Sequence, residues 1–215
     1  MALQIVAAII IGYILGSIPF AYIIGRLKKG VDIRETGGGN IGALNVYRNV
    51  GPIYGLSALA ADIGKGAMAV VIAGWLDLSL PWICVAGFAA IVGHNWPVFL
   101  KFKGGKGAAT VLGVLLAFMP IPLLIAGGLV LVFIAITSNV RLALCAMVFT
   151  PLFAWLLNGD LDMIYIYYPL ALLLFIGGYT LIGLKRELAN ADTRRNLFID
   201  KDYNPWQTKK ADSND

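Results

Sequence analysis

Apolar runs, several of them long enough to cross a bilayer, constrain this chain more than any other feature. They cover roughly 3–25, 52–75, 81–100, 107–119, 121–137, 142–158 and 163–184. A hydrocarbon core takes about 20 apolar residues to cross as a helix, and soluble cores rarely contain such stretches. Only 13% of the residues are charged, against about 25% in soluble domains, and the mean hydropathy is +0.79. The pattern predicts an all-α integral membrane protein with one membrane domain over 1–186 and a polar tail over 187–215. The first run has no basic segment before it and no small-residue cleavage site after it, so it reads as a retained helix rather than a signal peptide.

The charges give an orientation. All but one of the 17 Lys and Arg fall in four polar connections, at 26–51, 101–106, 138–141 and 185–215. The exception is Lys65, inside the second apolar run. The breaks at 76–80, 119–122 and 158–162 carry no basic residue. Seven crossings with the N-terminus outside put every basic connection, and the C-terminus, in the cytoplasm. The basic pI of about 9.2 is therefore read as topology, and nucleic acid is not an expected partner. Two of the seven helices, 107–119 and 121–137, are short. The first spans only about 20 Å against a core of about 30 Å, so the pair is also compatible with a re-entrant hairpin. Met119-Pro120-Ile121-Pro122 marks the turn between them. Cys84 and Cys145 both lie in apolar runs and read as ordinary helix residues.

Two inner connections carry chemistry. The first contains Gly37-Gly38-Gly39-Asn40, then Asn45 and Arg48. Consecutive glycines let backbone N–H groups converge on an anion, and Arg48 supplies a fork that suits phosphate oxygens. Gly and Asn are also ordinary turn residues. The second reads Lys103-Gly104-Gly105-Lys106-Gly107 and opens an apolar segment, so Lys106 stands near a helix N-terminus, where free N–H groups favour an anion. It lacks the Gly, four residues, Gly-Lys-Ser/Thr spacing of an ATP-binding P-loop. Asp62 and Lys65 are three apart on one helix and face each other, as a structural ion pair or as part of a site. His94 is the only histidine, with no Cys or carboxylate near it in sequence. Neither a metal site nor a His-x4-Asp acyltransfer device is expected there.

These residues resemble the bacterial acyl-phosphate:glycerol-3-phosphate acyltransferase (PlsY) family. The likeness rests on Gly16-Ser17-Ile18-Pro19, Gly39-Asn40-Ile41-Gly42 with Asn45 and Arg48, Asp62-Ile63-Gly64-Lys65-Gly66, and Gly93-His94-Asn95 through Gly107 and Thr110. It implies a seven-helix inner-membrane enzyme that moves a fatty acyl group from acyl phosphate to the sn-1 hydroxyl of glycerol 3-phosphate, giving lysophosphatidic acid. No cofactor or metal is implied, and the partners are the two substrates and the lipid bilayer. The resemblance puts catalysis on Lys106, Arg48 and Asn45. It puts substrate binding on Gly38, Gly39, Asn40, Gly104, Gly105, Gly107, Arg141 and Asn190. This chain departs from the family pattern in places. Gly38 stands where Ser is usual, Leu44 where Thr is usual, and Arg141 near a usual Ser. The stretch from Lys185 lacks the family's histidine, with Asn190 and Arg194 as loose equivalents. A paralogue with altered substrate or low activity, and a transporter for a small phosphorylated anion, are the alternatives. A transporter commonly shows internal repeats, and none is visible here.

Overall fold

The computed structural model describes residues 1–137, 149–157 and 162–188, and every regular element among them is helical. In chain order these are α1 (Ala2–Ser17), α2 (Phe20–Lys29), α3 (Ala43–Asn49), α4 (Pro52–Trp75) and α5 (Leu80–Asn95). A 3-10 turn (Val98–Leu100) then leads to α6 (Ala108–Phe118), α7 (Pro120–Thr137), α8 (Thr150–Leu157) and α9 (Ile164–Leu188). Four helical stretches among the described residues are long and apolar enough to cross a membrane: Ala2–Lys29, Pro52–Trp75, Leu80–Leu100 and Ile164–Ile182. At 11 residues α6 is short, about 16 Å at helical rise. The helix breaks at Met119, and Pro120 and Pro122 sit in the first turn of α7, where a missing N–H costs no helical bond.

The structure corrects the sequence reading of the first span. The run 3–25 is not one straight helix. It breaks at Ile18, which adopts φ −64°, ψ 116° ahead of Pro19. Proline disfavours the helical region for the residue before it and contributes no N–H of its own. The helix resumes as α2 and runs on to Lys29, and α3 occupies 43–49. Both ends of the connection 26–51 are thus helical, and 30–42 between them is loop. Within 142–158, only 149–157 fall among the described residues.

Small residues bring the helices together. α1 packs chiefly on α5, and α4 on α6. A Cβ at Gly12 or Gly16 would strike the carbonyls of Ala86 and Ala90, and one at Gly93 would strike the Tyr13 carbonyl. On the other pair, Gly66 lies against the Thr110 carbonyl and Gly113 against that of Ile63. Between membrane helices lipid removes most of the hydrophobic drive, so close backbone approach and van der Waals contact hold the pair. The seams fix the ends of α1, α4, α5 and α6 at one end of the molecule. Arg26, Lys28, Lys29, Arg34, Arg48, Lys101, Lys103 and Lys106 flank those same helix ends.

Candidate active site

The first glycine loop is built from its flanks inward. Gly30 ends α2 in the left-handed conformation, φ 65°. Asp32, buried behind it, accepts hydrogen bonds from Arg34 Nε at 2.9 Å, Arg34 Nη2 at 2.6 Å and the Arg34 backbone N–H at 3.0 Å. Arg26 Nη2 adds a fourth at 3.2 Å. Both guanidinium groups also lie over the Tyr22 ring, at 5.6 and 5.1 Å. The side-chain hydrogen bond from Arg34 is the main cause that holds the Asp32 carboxyl down, at about 2.

A depressed folded-state pKa stabilises wherever the carboxylate is charged. The contribution is complete above the ordinary value of 3.8 and is lost as pH falls through about 2. The loop anchor is therefore expected to be indifferent to pH above about 4. Asp32→Asn should release it at neutral pH, with trypsin cutting after Arg34 several times faster than in the wild type. Equal cleavage rates would show that the anchor does not order the loop.

Asn45, expected among the catalytic residues, is committed to the same loop. Its Nδ2 lies within hydrogen-bonding distance of the carbonyls of Ile33, Thr36 and Asn40, at 2.9, 3.1 and 2.9 Å. Its Oδ1 accepts from Asn49 Nδ2 at 2.7 Å. The carboxamide thus clamps the turn from inside, at the base of Gly37–Gly39. Gly37 and Gly39 adopt positive φ, 54° and 67°, which glycine reaches without strain. Gly38 between them is exposed, and a Cβ there would meet nothing within 4 Å. Arg48 is exposed on α3.

The second loop is folded against the first. After the 3-10 turn, Lys101 and Phe102 take φ 53° and 61°, uncommon for residues with side chains, and reverse the chain. The Gly105 N–H donates to the His94 carbonyl at 3.1 Å. Gly105 is wedged between the Ile41 carbonyl of the first loop and the His94 imidazole, where no Cβ fits. Gly107, at φ 83°, is the N-cap of α6. The backbone N–H groups of Ala108, Ala109 and Thr110 are the first of that helix and have no acceptor within it. Lys106, half-buried, directly precedes the cap. Asn95 is fully buried with its side-chain oxygen against Gly107.

Beneath both loops lies a feature that sequence spacing did not show. Asp62 and Lys65 form the expected ion pair at 2.7 Å, and both are buried. Asp62 also lies 3.6 Å from Nδ1 of His94. The expectation that His94 has no carboxylate nearby holds along the chain and fails across it. Lys65 Nζ donates to the Ile18 carbonyl at 2.9 Å, in the break between α1 and α2. These groups, Ser17, Ile41 of the first loop and Gly104 and Gly105 of the second line a narrow cleft. Of the sequence-predicted residues, Gly104 and Gly105 line this cleft, Lys106 and Gly107 follow directly, and Gly38–Asn40 belong to the loop facing them. Arg141 and Asn190 lie outside the described residues. Ser17 and Asn95 were not assigned a site role from sequence, and Asp62 was left open between a structural ion pair and part of a site. The signals for all three were a polar side chain within or at the end of an apolar run and a place in the motifs that carry the family resemblance.

Comparison with known proteins gives the family and the fold. Residues 6–187 match the family model described as glycerol-3-phosphate acyltransferase. A glycerol-3-phosphate acyltransferase of Dehalococcoides mccartyi is 40% identical over 200 residues, covering 90% of this chain and 95% of the relative. One from Endomicrobium trichonymphae is 38% identical over 194 residues, covering 90% and 96%. The fold is similar to crystal structures of PlsY, an integral membrane glycerol 3-phosphate acyltransferase. Its glycerol 3-phosphate form superposes with a TM-score of 0.75 at 32% identity, covering 90% of this chain and 98% of that one. Its lysophosphatidic acid form gives 0.74 at the same 32% identity, with 86% and 92% covered.

Proposed function

The chain belongs to the glycerol-3-phosphate acyltransferase family, and we propose that it moves a fatty acyl group from acyl phosphate to the sn-1 hydroxyl of glycerol 3-phosphate, releasing phosphate and lysophosphatidic acid. It is an integral membrane enzyme of phospholipid synthesis. On this reading the basic end faces the cytoplasm of a bacterial cell, with seven crossings, the N-terminus outside and 187–215 as a cytoplasmic tail. One observation carries the donor assignment. Two glycine loops meet at Gly105 and Ile41, one of them opening a helix N-terminus beside Lys106. Two phosphate-bearing substrates need two neighbouring anion sites, and a helix N-terminus with a lysine serves one of them.

Acyl phosphate is a mixed anhydride with phosphate as leaving group. The hydroxyl oxygen of glycerol 3-phosphate attacks the acyl carbon, the bond from that carbon to the phosphate oxygen breaks, and phosphate leaves with the electron pair. The hydroxyl proton passes to a substrate phosphate oxygen. Catalysis then consists of holding both phosphates in line and stabilising the charge that develops. Lys106 and the α6 N-terminus are assigned to that charge. Gly38, Gly39, Asn40, Gly104, Gly105 and Gly107 are assigned to backbone contacts, and Arg48 to a phosphate from the first loop. Asn45 supports the reaction by shaping that loop. Arg141 and Asn190 are retained as substrate-binding candidates.

The test is acyl transfer by the purified protein supplied with palmitoyl phosphate and glycerol 3-phosphate. Lysophosphatidic acid and inorganic phosphate should form one to one. Binding of neither substrate would refute the reading, and uptake of glycerol 3-phosphate into reconstituted vesicles would replace it with transport. A second expectation follows from the open space at Gly38. Gly38→Ser adds a hydroxyl with no steric conflict. One hydrogen bond to a charged ligand contributes about 1.5 kcal/mol or more, so KM for one substrate should fall by roughly tenfold. An unchanged KM for both substrates would show that position 38 does not face a phosphate.

A further inference from the structure

We propose that Asp62 and His94 are positioning residues that set the height of the Lys106 loop. This deepens the reading above and rests on it for the role of Lys106. Two helices meet at one buried carboxylate, and a contact beyond each of its partners ties in the break between α1 and α2 and the Gly105 loop. Asp62 on α4 pairs with Lys65 at 2.7 Å, and Lys65 holds the Ile18 carbonyl at 2.9 Å. The same oxygen, Asp62 Oδ1, lies 3.6 Å from Nδ1 of His94 at the end of α5. That distance is beyond hydrogen-bond range, so the carboxylate orients the ring electrostatically and favours the tautomer with its proton on Nδ1. The far edge of the ring, Nε2, bears on Gly105. The same residue's carbonyl accepts the Gly105 N–H at 3.1 Å. Gly105 is thus located by His94 from one side and by the Ile41 carbonyl from the other. Lys106 is the next residue.

Neither Asp62 nor His94 is assigned a contact with substrate. Their effect runs through Gly105: a tilted ring shifts the loop, and Lys106 with the α6 N-terminus shifts with it. A displacement of about 1 Å at a charge-stabilising group costs up to about a hundredfold in rate. The ring is held at Nδ1, so the two amide replacements of His94 separate the roles of its nitrogens. Asn places an amide near the Nδ1 position and Gln places one near the Nε2 position.

The experiment uses the full chain in detergent, with kcat, KM for glycerol 3-phosphate, and amide exchange measured on each variant. Asp62→Asn is expected to lower kcat by about tenfold to a hundredfold. It should also speed exchange at 103–107 while 115–123 at the other end stays protected. His94→Asn, which removes the edge that bears on Gly105, and His94→Gln, which removes the edge that faces Asp62, should both lower kcat along with Asp62→Asn. Unchanged kcat and exchange in Asp62→Asn would overturn the proposal. So would a kcat within a few-fold of wild type in His94→Asn, since Gly105 would then be placed without the ring. Should Asp62→Asn lose protection throughout, the His94 pair decides alone, because it leaves the Asp62–Lys65 pair intact. A wild-type protein that transfers no acyl group would sink the proposed function, and the exchange pattern would still judge the positioning role.

Discussion

Lys106→Ala is expected to remove at least two orders of magnitude from kcat/KM, the largest catalytic effect of any single substitution in the chain. The physical basis is additive at one point in space. A charge-assisted hydrogen bond contributes about 1.5–3 kcal/mol, which alone corresponds to roughly ten- to 150-fold. Lys106 directly precedes the N-cap Gly107, and in the proposed reaction its charge acts together with the first N–H groups of α6. Removing it leaves the helix terminus to hold a phosphate by itself. Lys106→Arg keeps the charge but replaces a compact ammonium with a planar fork, and it should restore only part of the activity. Steady-state kinetics on both variants, with amide exchange to show that 103–107 keeps its structure, makes the measurement. A kcat/KM within threefold of wild type for Lys106→Ala would move the phosphate site elsewhere.

The largest stability effect is expected from Lys65→Met. The substitution keeps the length of the side chain and strands the Asp62 carboxylate, 2% exposed, without its partner at 2.7 Å. Breaking a buried pair from one side costs about 3–5 kcal/mol, because an uncompensated charge remains. The Ile18 carbonyl also loses the donor it has at 2.9 Å, at a point where the helix has already been interrupted. Thermal unfolding in detergent should show a large drop in midpoint. The double variant Asp62→Leu with Lys65→Met should recover most of it, since a buried pair replaced by apolar groups is often neutral. Stability would then return without activity if the carboxylate positions His94. A double variant no more stable than Lys65→Met would show that the ion pair is not the source of the loss.

The apolar runs and the basic connections were legible because both are local properties. Burial in lipid needs length and composition, and both are written along the chain. The start of α6 behind Gly107 was legible for the same reason, since glycines followed by an apolar run mark a helix beginning. The break at Ile18-Pro19 was within reach of local rules and was overlooked, because the run around it is uniformly apolar. The approach of Asp62 to His94 was not legible. It depends on which helices pair, and that pairing is decided by Gly12, Gly16, Gly66, Gly93 and Gly113 meeting backbone on another helix. Small residues announce close packing without naming the partner. The role of Asn45 was ambiguous for a related reason. A polar side chain beside a glycine loop serves a ligand or the loop itself, and only the carbonyls of Ile33, Thr36 and Asn40 around its Nδ2 separate the two.

The seam between α1 and α5 has a consequence for biogenesis. The first span emerges from the ribosome with a face of Gly12 and Gly16 that fits only Ala86 and Ala90, which are made much later. Until then the gap at Ile18 has no Lys65 held in place, and Gly105 has no His94 to rest on. The active end therefore assembles last among these elements, once synthesis has passed Gly107. A nascent chain stopped within α4 would lack Ala86, Ala90 and His94, so neither the seam between α1 and α5 nor the approach of His94 to Asp62 could form.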